Sequence, residues 1–328
     1  MVRALVTGGA GFIGSHIATE LLERDHTVTV LDSMEPYYDL RIKERNIEHC
    51  RALGSERFEF VAGSVTDGAL VDDLFSNHDI DIVYHQAAQA GVRTSVENPK
   101  KPHEINTTGL LTLLTAADEY GVRRFVNASS SSVYGDVEYL PYDEEHQTLP
   151  QSPYGVTKLT AEHYCRVWDE LYDVPTVSLR YFTVYGPRMR PNMAITNFTS
   201  RCLNGASPVI YGDGQQTRDF TYVDDVIEAN LSLLERSAAD GEVINVGSTR
   251  TITIEQLAEH VVEETGADVD LEYADPKEAD ARHTHADVTK ARELLDYEPS
   301  TGIRDGVSQF VDWYQENRDW YEPLVLQS

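Results

Sequence analysis

Thr7-Gly-Gly-Ala-Gly-Phe-Ile-Gly14 follows the short apolar run Arg3–Val6 and leads into a helical pattern, Phe12–Arg24. Gly9-x-Gly11-x-x-Gly14 is therefore a glycine fingerprint in the context it requires, between a strand and a helix. Glycines at this spacing permit a tight turn, let the backbone approach a pyrophosphate, and allow helix and strand to pack closely. The N-terminus of the helix then faces the phosphates. Gly8, Gly11, Phe12, Ile13 and Gly14 are the candidate dinucleotide contacts of this turn. A second strand, Thr27–Leu31, runs into Asp32, close to the spacing expected for the acid that meets the adenosine ribose hydroxyls. A carboxylate there repels a 2′-phosphate, so the expected cofactor is NAD and not NADP.

Working outward, the first half of the chain keeps the same rhythm. Phe58–Val61, Ile82–His85, Phe125–Ala128 and Thr176–Leu179 read as further strands. Leu70–Phe75, Ile105–Tyr120 and Pro153–Tyr172 read as helices, the last with Ser152 to cap it and Pro153 at its first position. This alternation predicts an α/β fold, a Rossmann-type doubly wound parallel sheet. Ser64 and Val65 end the third strand, where an adenine contact falls. Ala87 and Gln89 end the fourth, beside the pyrophosphate. Each of these can equally be an ordinary small-residue strand end.

After about residue 180 the rhythm breaks into turn-rich segments such as Tyr185-Gly-Pro and Asn204-Gly-Ala-Ser-Pro. Asp224–Arg236, Ile254–Thr265 and Val288–Leu295 read as helices, and Val243–Val246 as a strand returning to the main sheet. The expected division is a nucleotide-binding domain over 1–180, joined again by 218–246, and a smaller C-terminal α/β substrate lobe over 181–328.

Tyr154 and Lys158 stand at i, i+4, so both project from one helical face. A free phenol has a pKa near 10 and is a poor base at neutral pH. A neighbouring ammonium favours its ionised form. The serine run Ser129–Ser132 follows the strand Phe125–Ala128, at the end of the sheet where open α/β folds bind ligands. Glycine turn, serine and Tyr–Lys pair together point to hydride chemistry on an alcohol or sugar carbon.

Composition narrows the classes further. The 328 residues carry 55 Asp and Glu against 27 Lys and Arg, for a net charge of −28. There is no basic footprint for nucleic acid. No apolar run approaches the roughly 20 residues of a membrane helix, and the N-terminus has no signal pattern, so a cytoplasmic protein is expected. Cys50, Cys165 and Cys202 are odd in number and widely spaced, which predicts reduced buried thiols and no metal site. The only lysines are Lys43, Lys100, Lys101, Lys158, Lys277 and Lys290. Dispersed acid with so little lysine fits either a surface adapted to high salt or an acidic protein that is merely soluble.

These residues resemble the extended short-chain dehydrogenase/reductases, and within them the nucleotide-sugar 4-epimerases of the UDP-glucose 4-epimerase type. The resemblance covers nearly the whole chain. Beyond the glycine turn it rests on Ala87-Ala-Gln-Ala-Gly-Val-Arg93, Ala128-Ser-Ser-Ser-Ser-Val-Tyr-Gly135, Ser152-Pro-Tyr-Gly-Val-Thr-Lys158, Arg180-Tyr-Phe-Thr-Val-Tyr-Gly-Pro187 and Arg218-Asp-Phe-Thr-Tyr-Val-Asp-Asp225. It implies Ser130 as the catalytic hydroxyl, Tyr154 as the base and Lys158 as its partner. It implies Asn106 as a support from the neighbouring helix and Arg218 as a diphosphate contact. Lys277, in Pro276-Lys-Glu-Ala-Asp280 where many relatives carry an arginine, can also offer a cation there.

Thr183, Tyr211 and Thr284 fall at sugar-side positions. Thr284 stands where a tyrosine narrows the pocket in some relatives. It either leaves room for an N-acetyl group or simply packs. Arg190 stands where glucuronate 4-epimerases meet a carboxylate, and it can equally be structural or hold the diphosphate. The dehydratases of this family follow the catalytic hydroxyl with Asp-Glu. Here those positions are Ser131 and Ser132, which argues against elimination of water. The resemblance thus implies C4 inversion of UDP-glucose or its N-acetyl form with bound NAD, with UDP-glucuronate as the alternative and a lyase less favoured. It also implies a homodimer paired through Ile105–Tyr120 and Pro153–Tyr172.

Overall fold

The computed structural model describes residues 1–135, 139–276 and 282–325. Seven strands form the central sheet: β1 (Arg3–Thr7), β2 (Thr27–Asp32), β3 (Phe58–Ala62), β4 (Ile82–His85), β5 (Arg124–Ser130), β6 (Thr176–Tyr181) and β7 (Val243–Val246). Their order is β7-β6-β5-β4-β1-β2-β3 and every pair is parallel. Strands such as Ala4–Thr7 and Ile82–His85 are buried throughout, because helices cover both faces of a parallel sheet and leave no wet side.

The order reverses between β1 and β4. A crevice opens there at the C-terminal ends of the strands. Thr7 pairs in register with His85, His85 with Asn127, and Ser130 with Tyr181. The glycine turn, the β4 end and the serine run are thereby brought to one edge.

On one face, helix Phe12–Glu23 packs against helices Leu40–Leu53 and Val223–Ser232. Ile17, Leu21, Val28 and Ile47 fill that core, which continues into the C-terminal elements through Phe198, Leu257 and Phe310. On the other face, Gly68–His78, Gly109–Glu119 and Pro153–Tyr172 bury Phe75, Leu110, Leu113 and Phe125. Each such side chain contributes about 1.5–3 kcal/mol by burial.

Several elements depart from the sequence expectation. Leu40–Leu53 is a helix whose buried face carries Lys43 and Asn46 among Ile42, Ile47 and Cys50, so its apolar period is interrupted. Ala194–Leu203, Ile303–Glu316 and Arg318–Val325 are also helices not anticipated. Ile303–Glu316 buries Val307, Phe310, Val311 and Tyr314 at helical spacing, a legible signal. The helix expected from Ile105 begins earlier, as the π-helical segment His103–Thr108, and continues as Gly109–Glu119. The helix expected to reach Arg236 ends at Ser232.

Candidate active site

At the nucleotide end, Gly8 adopts φ +68° and turns the chain out of β1. A Cβ at Gly8 would lie 2.7 Å from the backbone nitrogen of Ala87, and one at Gly14 would lie 2.4 Å from the carbonyl oxygen of Gly8. The turn is therefore closed by backbone meeting backbone. Gly11 caps helix Phe12–Glu23 with no side chain, so the first-turn N–H groups of Phe12 and Ile13 are left to an external acceptor. This cradle fits a dinucleotide pyrophosphate.

Asp32 is buried at the end of β2. Its carboxylate accepts from the Ala10 N–H at 3.1 Å, the Met34 N–H at 2.8 Å and Lys43 Nζ at 3.1 Å. Asn46 donates to the Ala10 carbonyl at 2.9 Å. Lys43 and Asn46 are thus candidate residues of this end that the sequence motifs do not point to. The scarcity of lysine was the available signal, since each of six is notable.

Ser64 hydrogen-bonds Thr66 Oγ1 at 2.7 Å, and Val65 packs into the core against Gly109. The Ala87 N–H donates to Thr7 Oγ1 at 3.3 Å. Asn106, within the π-helical segment, accepts from the Gln89 N–H at 2.8 Å and donates to Thr157 Oγ1 at 2.9 Å. It ties the β4 end to the Tyr154 helix. π-Helical turns often occur at functional sites. His85 is buried against Thr7 and is held neutral, pushed down to about 3 by burial and then by the charge of Lys158.

At the reacting end, Ser152 accepts from the Gly155 N–H at 3.1 Å and starts helix Pro153–Tyr172, with Pro153 inside its first turn as expected. The Tyr154 N–H donates to Ser95 Oγ at 3.1 Å. Lys158 Nζ lies 5.8 Å from the centre of the Tyr154 ring and donates to the Ala128 carbonyl at 2.6 Å. Burial pushes Lys158 down to about 8, with Cys165 and Glu162 pulling the other way. Burial also raises the Tyr154 phenol, while its hydrogen bond with Ser130 and the charge of Arg190 lower it. Arg190 thus joins Lys158 as a cation beside Tyr154, where the sequence suggests a carboxylate contact, a diphosphate contact or a structural role for it. Ser130 Oγ donates to Ser132 Oγ at 3.1 Å and caps the 3₁₀ turn Ser131–Val133.

Arg190 also lies 5.6 Å from the ring of Tyr37, and among the described residues no carboxylate is within ion-pair distance of it. Tyr37, from the segment after β2, is a third residue the sequence does not point to. Further out, Thr183 begins the strand Thr183–Tyr185, and its N–H donates to the Asp219 carbonyl at 3.1 Å. Arg218 donates to the carbonyls of Thr217 at 2.9 Å and Arg282 at 3.2 Å. Thr284 Oγ1 accepts from the Asp219 N–H at 3.2 Å. Tyr211 ends the strand Val209–Tyr211 with its ring exposed. Lys277 lies outside the described residues.

Residues 5–310 match the family model described as GDP-mannose 4,6 dehydratase. The chain belongs to this family, within the extended short-chain dehydrogenase/reductases. It is 37% identical to a putative UDP-glucose 4-epimerase of Methanocaldococcus jannaschii, over 95% of this chain and 98% of that one. Among solved structures it is similar to the UDP-glucuronic acid 4-epimerase of Bacillus cereus in complex with UDP-glucuronic acid and NAD. The TM-score is 0.90 at 35% identity, covering 96% of this chain and 99% of that one. It is also similar to the UDP-N-acetylglucosamine 4-epimerase of Methanobrevibacter ruminantium, with a TM-score of 0.88 at 32% identity, covering 96% and 99%. These relatives and solved structures are named for epimerisation. Ser131 and Ser132 stand where the family resemblance implies Asp-Glu in dehydratases.

Proposed function

We propose that the protein is an NAD-dependent isomerase that inverts C4 of a UDP-sugar. The observation that carries this is the meeting of Ser130, Tyr154 and Lys158 at the β5 end, on the same sheet edge as the Gly8–Gly14 turn. The Gly8, Gly11 and Gly14 turn, the N–H groups of Phe12 and Ile13, and Asp32 with Lys43 would hold NAD. When bound, NAD supplies the reversible oxidation of a secondary alcohol. Tyr154 takes the proton from O4 and gives it back, with Ser130 sharing the hydrogen bond. Lys158 keeps positive charge beside the phenol. Arg218 would hold the diphosphate, and Thr183, Tyr211 and Thr284 would face a sugar that must present either face to NAD; Lys277, outside the described residues, is the second cation the sequence offers for the diphosphate. The nucleotide-binding body is read as 1–180 with 218–246, and the substrate lobe mainly as 181–328.

UDP-glucose and UDP-galactose, with their N-acetyl forms, are the first substrate reading. UDP-glucuronate is the second, favoured by Arg190 standing near Tyr154 without a carboxylate partner among the described residues. Incubating the protein with UDP-glucose, UDP-N-acetylglucosamine and UDP-glucuronate and resolving the C4 epimers decides between them. A dehydrated or decarboxylated product mass, or NADH accumulating with turnover, would overturn the isomerase. Selective loss of glucuronate turnover in Arg190→Leu would establish the second reading.

We further read the protein as a cytoplasmic homodimer adapted to high salt. Val156 is 50% exposed and Leu171 is 72% exposed on helix Pro153–Tyr172, which supports a partner on that face. Cys50, Cys165 and Cys202 are buried free thiols, and no helix among the described residues is long and apolar enough to cross a membrane. Light scattering at high KCl should give a dimer mass.

A further inference from the structure

Tyr154, Lys158 and Glu162 follow one another at four-residue intervals, so they share one face of helix Pro153–Tyr172. Glu162 is only 3% exposed and carries three donors. Ser129 donates its hydroxyl to Oε1. Arg180 donates from Nε to Oε1 at 2.9 Å and from Nη2 to Oε2 at 2.8 Å. A buried carboxylate left without partners is costly, and here the guanidinium fork of Arg180 matches its geometry.

The position of those donors is informative. Ser129 lies between Ala128, whose carbonyl receives Lys158, and Ser130, whose hydroxyl meets Tyr154. Arg180 is the cross-strand partner of Ser129 on β6. Glu162 therefore bonds to both strands at the level of the reacting groups. An apolar residue could pack helix on sheet equally well, since a buried ion pair is a weak source of net stability. It could not hold a strand end by directional bonds.

We infer that Glu162 is a positioning residue for the reaction, locking the end of β5 to the helix so that the Ala128 carbonyl and Ser130 hydroxyl stay where Lys158 and Tyr154 need them. This rests on the epimerase reading above. The charge of Glu162 has a second consequence. Lys158 is faced by Tyr154, Glu162 and Cys165 from its own helix and by His85 from β4, with Arg180 of β6 beyond Glu162. Glu162 favours the ammonium against burial. Without its charge, Arg180 remains as an uncompensated cation and Lys158 gives up its proton at lower pH.

The test uses the full chain with its NAD. Since the chain has six lysines, a ¹³Cε-lysine label lets Lys158 be titrated directly by NMR. Glu162→Gln should lower the pH at which Lys158 titrates. It should reduce kcat about 10-fold or more, a loss of the size that small misplacements of reacting groups cause, with KM and NAD content unchanged. Ser129→Ala keeps both charges, so it should reduce kcat several-fold without moving the titration. Glu162→Asp should recover part of both losses. A parental titration and parental kcat in Glu162→Gln overturn the inference. If that variant does not fold, a parental kcat in Ser129→Ala overturns it alone. If the parent turns over no UDP-sugar, the epimerase reading fails, while the Lys158 titration still decides whether Glu162 acts on Lys158.

Discussion

The two ends of the crevice are built in opposite ways. The nucleotide end is largely local: Gly8–Gly14, Asp32, Lys43 and Asn46 come from the first 46 residues, and the backbone of Ala87 at the end of β4 closes the glycine turn. The sugar end we propose would draw on Tyr37, Ser130, Tyr154, Arg190, Arg218 and Thr284, separated by up to about 250 residues, with side chains and single carbonyls fixing each. A motif read along the chain can find the first end. The second exists only once distant loops have been brought together. In the reading proposed above, it is also the end where side-chain changes would retune the substrate and leave the cofactor in place.

The largest effect expected from this contrast is at Tyr154. Tyr154→Phe should lower kcat by about 10²–10⁴-fold, the usual contribution of a general acid–base group, while NAD released on denaturation stays at the parental level. Near-normal turnover would remove Tyr154 as the base. The next largest tests the local end. Lys43→Met leaves the buried Asp32 carboxylate without its cation, and breaking such a pair typically costs about 3–5 kcal/mol. Chemical denaturation and NAD content should both report the loss. An unchanged midpoint would show that backbone donors alone hold Asp32.

At the sugar end, Thr284→Tyr should suppress UDP-N-acetylglucosamine turnover more than UDP-glucose turnover, with overpacking costing about 1–3 kcal/mol. Equal losses on both would mean that Thr284 only holds the Asp219 N–H. The smallest effect is at Tyr321 of the C-terminal helix, which donates to the Met189 carbonyl at 2.6 Å, between Arg188 and Arg190. Tyr321→Phe should cost about 1 kcal/mol in urea unfolding, the net worth of one hydrogen bond. Raised KM with unchanged kcat would show that this bond also steadies the arginine loop.

The parallel sheet was legible because its strands are short Val- and Ile-rich runs bounded by turn residues, a pattern that survives without knowledge of neighbours. Leu40–Leu53 was not, because Lys43 and Asn46 occupy inward positions for the sake of Asp32 and the glycine turn. The serine run narrowed the hydroxyl to four candidates. Ser129 goes to Glu162 and Ser130 to Tyr154 only because β5 ends where helix Pro153–Tyr172 crosses it.

The sequence by itself determined the fold class, the glycine turn, Asp32 and the Tyr154–Lys158 spacing. These depend on dihedral preference and on periodicity over a few residues, which are local properties of the chain. The tertiary structure decided that Arg190 lies near Tyr154 as well as Lys158, what pairs with Asp32 and which groups Glu162 meets. Those depend on distances between residues far apart in sequence and on how completely water is excluded around them, and neither is fixed until the layers have packed.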